Sequence, residues 1–162
     1  MKNGDVRWLD DDEAAAWRPL VSATMWLPAA LDMQLLREAG ISHFEYGVLS
    51  GLSMEEDRTL RLSDLARSAN STLSRLSKVV NRLSDQGWVE RRPDPEDGRS
   101  TLAILTEEGW QKVVATAPGH VKRVRELVFD RLSRAEVKQL GVIAAKISAA
   151  VGPEGACSGK LL

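Results

Sequence analysis

The segment from Ser63 to Thr106 limits the fold most, because it reads in order as a helix, a tight connection, a second helix and a two-stranded hairpin. The second helix, about Ser71 to Gln86, carries the clearest pattern. Leu73, Leu76, Val80 and Leu83 fall at spacings of 3, 4 and 3, which gathers them on one face of a 3.6-residue helix. Ser74, Arg75, Lys78, Asn81 and Arg82 take the opposite side. A helix that is apolar below and short-polar plus cationic above suits a cylinder resting on a core and facing an anion. The major groove of B-DNA admits such a helix, and side chains of these types reach base edges and phosphates from it.

The hairpin points the same way. Trp88-Val89-Glu90-Arg91-Arg92 is strand-like and ends at Pro93, Pro95-Glu96-Asp97-Gly98 makes a turn, and Thr101-Leu102-Ala103-Ile104-Leu105 returns. Asp-Gly between two such runs signals a hairpin, since Gly takes positive φ without steric cost. Arg99 then falls near the tip, where a long cation can enter a minor groove. Taken alone, the same residues also fit a solvated hairpin with incidental charges.

The run Asp97-Gly98-Arg99-Ser100-Thr101-Leu102-Ala103-Ile104-Leu105-Thr106 resembles the wing signature of the MarR (multiple antibiotic resistance regulator) family, Asp-x-Arg followed at a fixed distance by Leu-Thr. Ser71-Thr72-Leu73-Ser74-Arg75-Leu76, then Arg82-Leu83 and Gly87-Trp88-Val89-Glu90-Arg91, resemble that family's recognition helix and exit. The likeness extends more loosely from about residue 14 to residue 150. It implies a mainly α fold with a small antiparallel β-wing, a winged helix-turn-helix domain flanked by N- and C-terminal dimerisation helices. It further implies a dimeric regulator of double-stranded DNA, no cofactor, and release by a small-molecule effector, aromatic or phenolic. On that plan residues 1–40 contribute to dimerisation, 41–106 bind DNA, 107–152 dimerise and 153–162 form a flexible tail.

Composition sets the bounds. A chain of 162 residues that is 43% hydrophobic and 28% charged can bury one sizeable core. No apolar run approaches the ~18 residues that a membrane helix requires. Met1-Lys2-Asn3-Gly4-Asp5 lacks an apolar signal core, so the expected location is the cytoplasm, with no membrane partner. The single Cys157 excludes an internal disulfide framework and cannot alone hold a metal. Net charge is −1, yet Arg58 to Ser100 holds nine basic against six acidic residues, while the remainder holds 13 against 17. The positive excess lies where the groove-facing elements fall, as a DNA footprint requires.

The flanking segments read as helices. One of Asp10, Asp11 and Asp12 caps the first, with Leu20, Thr24, Leu27, Leu31 and Leu35 as its stripe, a break expected near Pro19, a kink near Pro28 and a stop at Gly40. Ser42 and Glu45 form a capping box for a second helix that buries Phe44, Val48 and Leu52. Arg58 to Leu62 suits a short strand joining the hairpin, and Ser63 a cap for the next helix. Asn70-Ser71 breaks that helix and caps the recognition helix. Thr106 caps a long helix with an expected kink at Pro118-Gly119, and Ser133 with Glu136 opens the last helix, ended by Gly152-Pro153. The terminal helices are too apolar to stand in water. They are buried either within one chain or, as the resemblance favours, against a second copy, with recognition helices ~34 Å apart on a palindromic site.

The candidate DNA-facing residues are Ser71, Thr72, Ser74, Arg75 and Lys78 in the major groove, Arg82 on phosphate, and Arg99 in the wing, oriented by a charge-assisted hydrogen bond to Asp97. Trp17, Met25, Trp26, Met33 and Trp110 either line an effector cavity or fill the core, so ligand residues stay unassigned. His43 is a pocket residue, a pH-sensitive group or simply a half-buried neighbour of a helix start. Catalytic arrangements are missing. Gly47-Val48-Leu49-Ser50-Gly51 places its serine one residue late for a nucleophile elbow, and neither His43 nor His120 has metal-ligand spacing to a cysteine or carboxylate. A winged helix that binds an acidic protein rather than DNA is the alternative function.

Overall fold

Side-chain caps fix most of the helix starts. Asp10 with Glu13, Ser42 with Glu45 and Ser133 with Glu136 form reciprocal capping boxes, and the Thr106 hydroxyl accepts from the Gly109 N–H. The computed structural model describes residues 6–152, so the expected tail and Cys157 lie outside the described residues. In order, the elements are α1 (Asp11–Ala39), α2 (His43–Ser53), β1 (Thr59–Arg61), α3 (Leu62–Ser68), α4 (Leu73–Asp85), β2 (Val89–Pro93) and β3 (Thr101–Leu105). They continue with α5 (Glu107–Leu127), a 3-10 turn (Phe129–Arg131) and α6 (Arg134–Val151).

The three strands form one antiparallel sheet in the order β1-β3-β2, with Leu60 opposite Ala103 and Val89 opposite Leu105. Pro93 pairs with Thr101 on an edge strand, where its missing N–H removes no inner ladder bond. Leu35, Val48, Leu49, Leu52, Leu65, Leu76, Val80, Leu83 and Val89 are the fully buried centre, so α2, α3, α4 and the base of the wing close over one core with the end of α1. Thr106 secures the wing's exit. Its hydroxyl donates to the Gly87 carbonyl at 2.7 Å and its N–H to Trp88 at 3.1 Å, while Leu105 beside it is buried in the core. That is the physical work of the Leu-Thr pair.

Several expectations are corrected. The break expected near Pro19 does not occur, since α1 is one continuous helix through Pro19 and Pro28, and α5 is likewise continuous through Pro118. Pro19, Pro28 and Pro118 are each exposed, as are Ala15, Thr24 and Val114 four residues before them, so water can serve the carbonyl that each leaves without its N–H partner. The leucine stripe of α1 is buried only at Leu31 and Leu35, whereas Leu20 and Thr24 are exposed. α3 begins at Leu62 with Arg61 at its cap and no side-chain bond there, because β1 feeds directly into the helix and Leu62 enters the core. The recognition helix is capped by Thr72 rather than Ser71, and its first residue, Leu73, is 53% exposed. Val79 takes a place on the buried face beside Leu76, Val80 and Leu83. Gly98 does not use positive φ; among the described glycines only Gly40 and Gly87 do, at 67° and 76°.

A candidate nucleic-acid interface

α4 presents Thr72, Ser74, Arg75, Lys78, Asn81 and Arg82 to solvent, with Ser71 half-buried before them. The hydroxyl of Thr72 is partly committed as the cap, accepting from the Arg75 N–H at 3.2 Å, while the Ser71 hydroxyl donates to the Thr72 carbonyl at 3.3 Å. The first turn of α2 holds two cations of this face. Arg75 stacks on the Phe44 ring at 4.5 Å. Arg82 donates through Nε and Nη2 to one oxygen of Glu45, at 3.2 and 3.1 Å. Burial pushes the Glu45 carboxyl up, but hydrogen bonds from Ser42 and Arg82 outweigh it and hold the group below the ordinary carboxylate value. Lys78 and Arg99 have no ion pair among the described residues, which leaves their charge free for an anion.

The wing turn is held from within. Asp97 accepts from the main-chain N–H of Arg99 at 3.1 Å and from the Ser100 hydroxyl at 2.7 Å. Asp97 therefore meets Arg99 through its main-chain N–H, a hydrogen bond assisted by the carboxylate charge, and orders the backbone of the turn while the guanidinium stays outside the contact. The other arginines of the basic stretch are also engaged. Arg58 meets Glu107 at 3.0 Å, Arg61 meets Asp94 at 2.6 Å, Arg67 meets Asp64 at 3.0 Å, and Arg92 meets Glu90 at 2.8 Å. Arg91 bonds to Asn81, linking β2 to α4. Most of these pairs are exposed and screened by solvent, so a phosphate can compete for them.

Beneath Arg75 lies a cavity of about 580 Å³ between α1, α2 and the α3–α4 connection. Pro28, Ala29, Asp32, His43, Phe44 and Tyr46 form much of its wall, with Arg75 at its rim. Neither reading of the large residues holds for Trp17, Met25, Trp26 and Met33, which are 55–70% exposed and neither line this cavity nor fill the core. Trp110 packs against the core beneath Arg58 instead. Behind the cavity, His120 is 3% exposed with both ring nitrogens unpartnered, its ring 4.7 Å from Tyr46 and 5.8 Å from His43. Burial lowers the pKa of both imidazoles. Sequence spacing could not find Phe44 and Glu45 as partners of the cationic helix, because the contacts join positions 31 and 37 residues apart and Glu45 already had a complete local role in its capping box.

A three-helix core with a β-wing and an exposed cationic second helix defines the winged helix-turn-helix class. The chain belongs to the MarR family: the family's profile matches residues 35–100, and similarity to solved members covers nearly its whole length. A MarR family transcriptional regulator of Streptomyces coelicolor, Sco3205, crystallised in complex with DNA, is 44% identical over 93% of this chain and 94% of its own, with a TM-score of 0.86. AbsC, a MarR family regulator from the same organism, is 32% identical over 90% and 98%, with a TM-score of 0.83. The transcriptional repressor MprA of Escherichia coli is 26% identical over 70% of this chain, which spans 64% of that repressor's length. The chain is thus a transcription regulator by family, not an enzyme. No helix among the described residues is long and apolar enough to cross a membrane.

Proposed function

We propose that this regulator binds a palindromic DNA operator as a homodimer and acts as a repressor released by a small-molecule effector. Ser71, Thr72, Ser74, Arg75 and Lys78 meet the major groove, Arg82 lies against phosphate with the part of its fork that Glu45 leaves free, and Arg99 enters the adjacent minor groove on a turn ordered by Asp97. One observation carries the reading: α4 rests on the core by Leu76, Val79, Val80 and Leu83 and turns its cationic side outward. The DNA in the crystal of the 44% identical relative supports it. Residues 41–106 serve as the DNA-binding domain, and the helices within 1–40 and 107–152 as the dimer contact, because α6 has no buried residue of its own. The effector, an aromatic or phenolic compound, fits the cavity under Arg75, whose volume lies within the usual 300–1,000 Å³ range of small-molecule sites.

The test is a mobility-shift titration with the region upstream of the chain's own gene, at two salt concentrations. Sequence-specific binding that weakens steeply with salt is the expected result. Binding only to acidic proteins would favour the alternative, a winged helix used as a protein-interaction module.

A further inference from the structure

We propose that Asp94 and Arg61 are positioning residues that fix the angle at which the wing tip meets DNA. The proposal rests on the DNA-binding reading above. Asp94 stands just past the end of β2, and its side chain is only 4% exposed despite its charge. One carboxylate oxygen accepts from Arg61 Nε at 2.6 Å, and the other from the Glu96 N–H at 2.9 Å. Its own N–H donates to the Ser100 carbonyl at 3.0 Å, across the turn that carries Arg99. Arg61 also lies 3.6 Å from the Glu96 carboxylate.

The topology gives this cluster its leverage. Arg61 is the last residue of β1 and the cap residue of α3, so it belongs to the helix-turn-helix unit. β1 and β2 flank β3, and Arg61 and Arg92 both lie opposite Leu102. The Arg61 side chain therefore reaches across the central strand to the far side of the sheet and ties the turn to the start of α3. A hairpin joined to its domain only by its own two strands would swing at the tip. A buried carboxylate that accepts from both sides of the hinge prevents that swing, and the same Ser100 that Asp94 holds is bonded by Asp97. The wing tip thereby inherits its position from the helix before the recognition helix. Arg61 sits in the basic stretch but spends its charge on this brace rather than on phosphate.

Asp94→Asn separates this role from simple electrostatics, because the two predict opposite signs. Removing an acid beside a DNA-facing loop should tighten binding if charge alone mattered. Loss of the brace should weaken it, on the order of five-fold. The probe is a duplex recovered by the wild-type chain from a random-sequence pool, and affinities are measured for wild type, Asp94→Asn, Arg99→Ala and the double variant. The expected result is weaker binding by Asp94→Asn that largely disappears in the Arg99→Ala background, with the thermal midpoint nearly unchanged, since a residue acting through Arg99 has nothing left to position. Equal losses in both backgrounds, no loss, or tighter binding would overturn the proposal. Should Asp94→Asn fail to fold, Arg61→Gln, whose side chain is 42% exposed, runs the same cycle with the same outcomes. A wild-type chain that selects no duplex overturns the DNA-binding reading itself, and the positioning role with it.

Discussion

Arg99 and Arg82 both carry a guanidinium on the proposed DNA side, but their surroundings assign them different weight. Arg99 has no ion pair among the described residues, whereas Arg82 already gives two N–H groups to Glu45. Arg99→Ala should therefore lower operator affinity and reduce the slope of log affinity against log salt by about one. Arg82→Ala should change that slope less, because its charge is largely answered inside the protein. Equal slope changes for the two variants would count against the ion pair persisting on DNA. His120 offers a different test. Its ring faces His43 and Tyr46 from α2, and neither nitrogen has a hydrogen-bond partner among the described residues. The folded-state pKa is lowered by burial from the ordinary 6.5, so the unfolded chain takes up the proton more readily. Stability is complete above that value and drains away as pH falls through it towards the folded value. Thermal midpoints recorded between pH 7.5 and 5 should fall for the wild type and fall less for His120→Leu. Parallel curves would show that His43, whose pKa is lowered in the same direction, or the carboxylates carry the effect instead.

At the scale of the element, α4 shows which part of a helix a sequence reveals. The spacing of Leu76, Val80 and Leu83 follows directly from the 3.6-residue period, and the buried face matches it. Leu73 has the right spacing but the wrong position: it opens the helix where the core beneath has ended, and periodicity carries no knowledge of where a partner surface stops. Leu76→Ala should cost ~2–5 kcal/mol in urea unfolding, and Leu73→Ala less than about 0.5 kcal/mol. Similar losses for both would mean that Leu73 is covered in solution. The same limit explains the prolines. Local rules forbid a bond at Pro19, Pro28 and Pro118, but a long helix on an exposed stretch survives one missing bond. By contrast, the capping boxes of Ser42 with Glu45 and Ser133 with Glu136 were legible because each is complete within four residues, whereas at α1 three adjacent aspartates left the choice of Asp10 and its return bond from Glu13 open. The candidate interface was legible on α4 itself and invisible where α2 meets it, since the Phe44–Arg75 and Glu45–Arg82 contacts arise only when the chain folds. Gly109 belongs with these unseen contacts: a Cβ there would overlap the Trp88 carbonyl oxygen and lie 2.7 Å from Leu105, so α5 approaches the base of the wing as closely as only glycine allows.

For the whole molecule, the decisive feature is where apolar surface remains outside. Trp17, Met25, Trp26 and Met33 along α1, and Leu140, Val142, Ile143 and Ile147 along α6, are between 39% and 70% exposed. Scattered exposed leucines are ordinary, but two helices carrying this many large apolar groups form the kind of surface that soluble monomers seldom present. Burial within one chain does not supply the cover, because α6 contains no buried residue among those described. A second copy would cover both helices and also set the two α4 helices at a fixed separation, which is what a palindromic site requires. Ile143→Lys, 54% exposed in one chain, tests the link between assembly and function. Light scattering on a sizing column should give twice the chain mass for the wild type and the single-chain mass for Ile143→Lys at micromolar concentration. The wild type's thermal midpoint should rise with protein concentration, as mass action demands of an associating fold, and that of the variant should not. Operator affinity should fall at least ten-fold in the variant, since each half-site must then be bound without the other. A wild type of single-chain mass, with a midpoint indifferent to concentration, would leave the apolar faces of α1 and α6 without the proposed occupant and remove the dimer from the account of how this protein grips DNA.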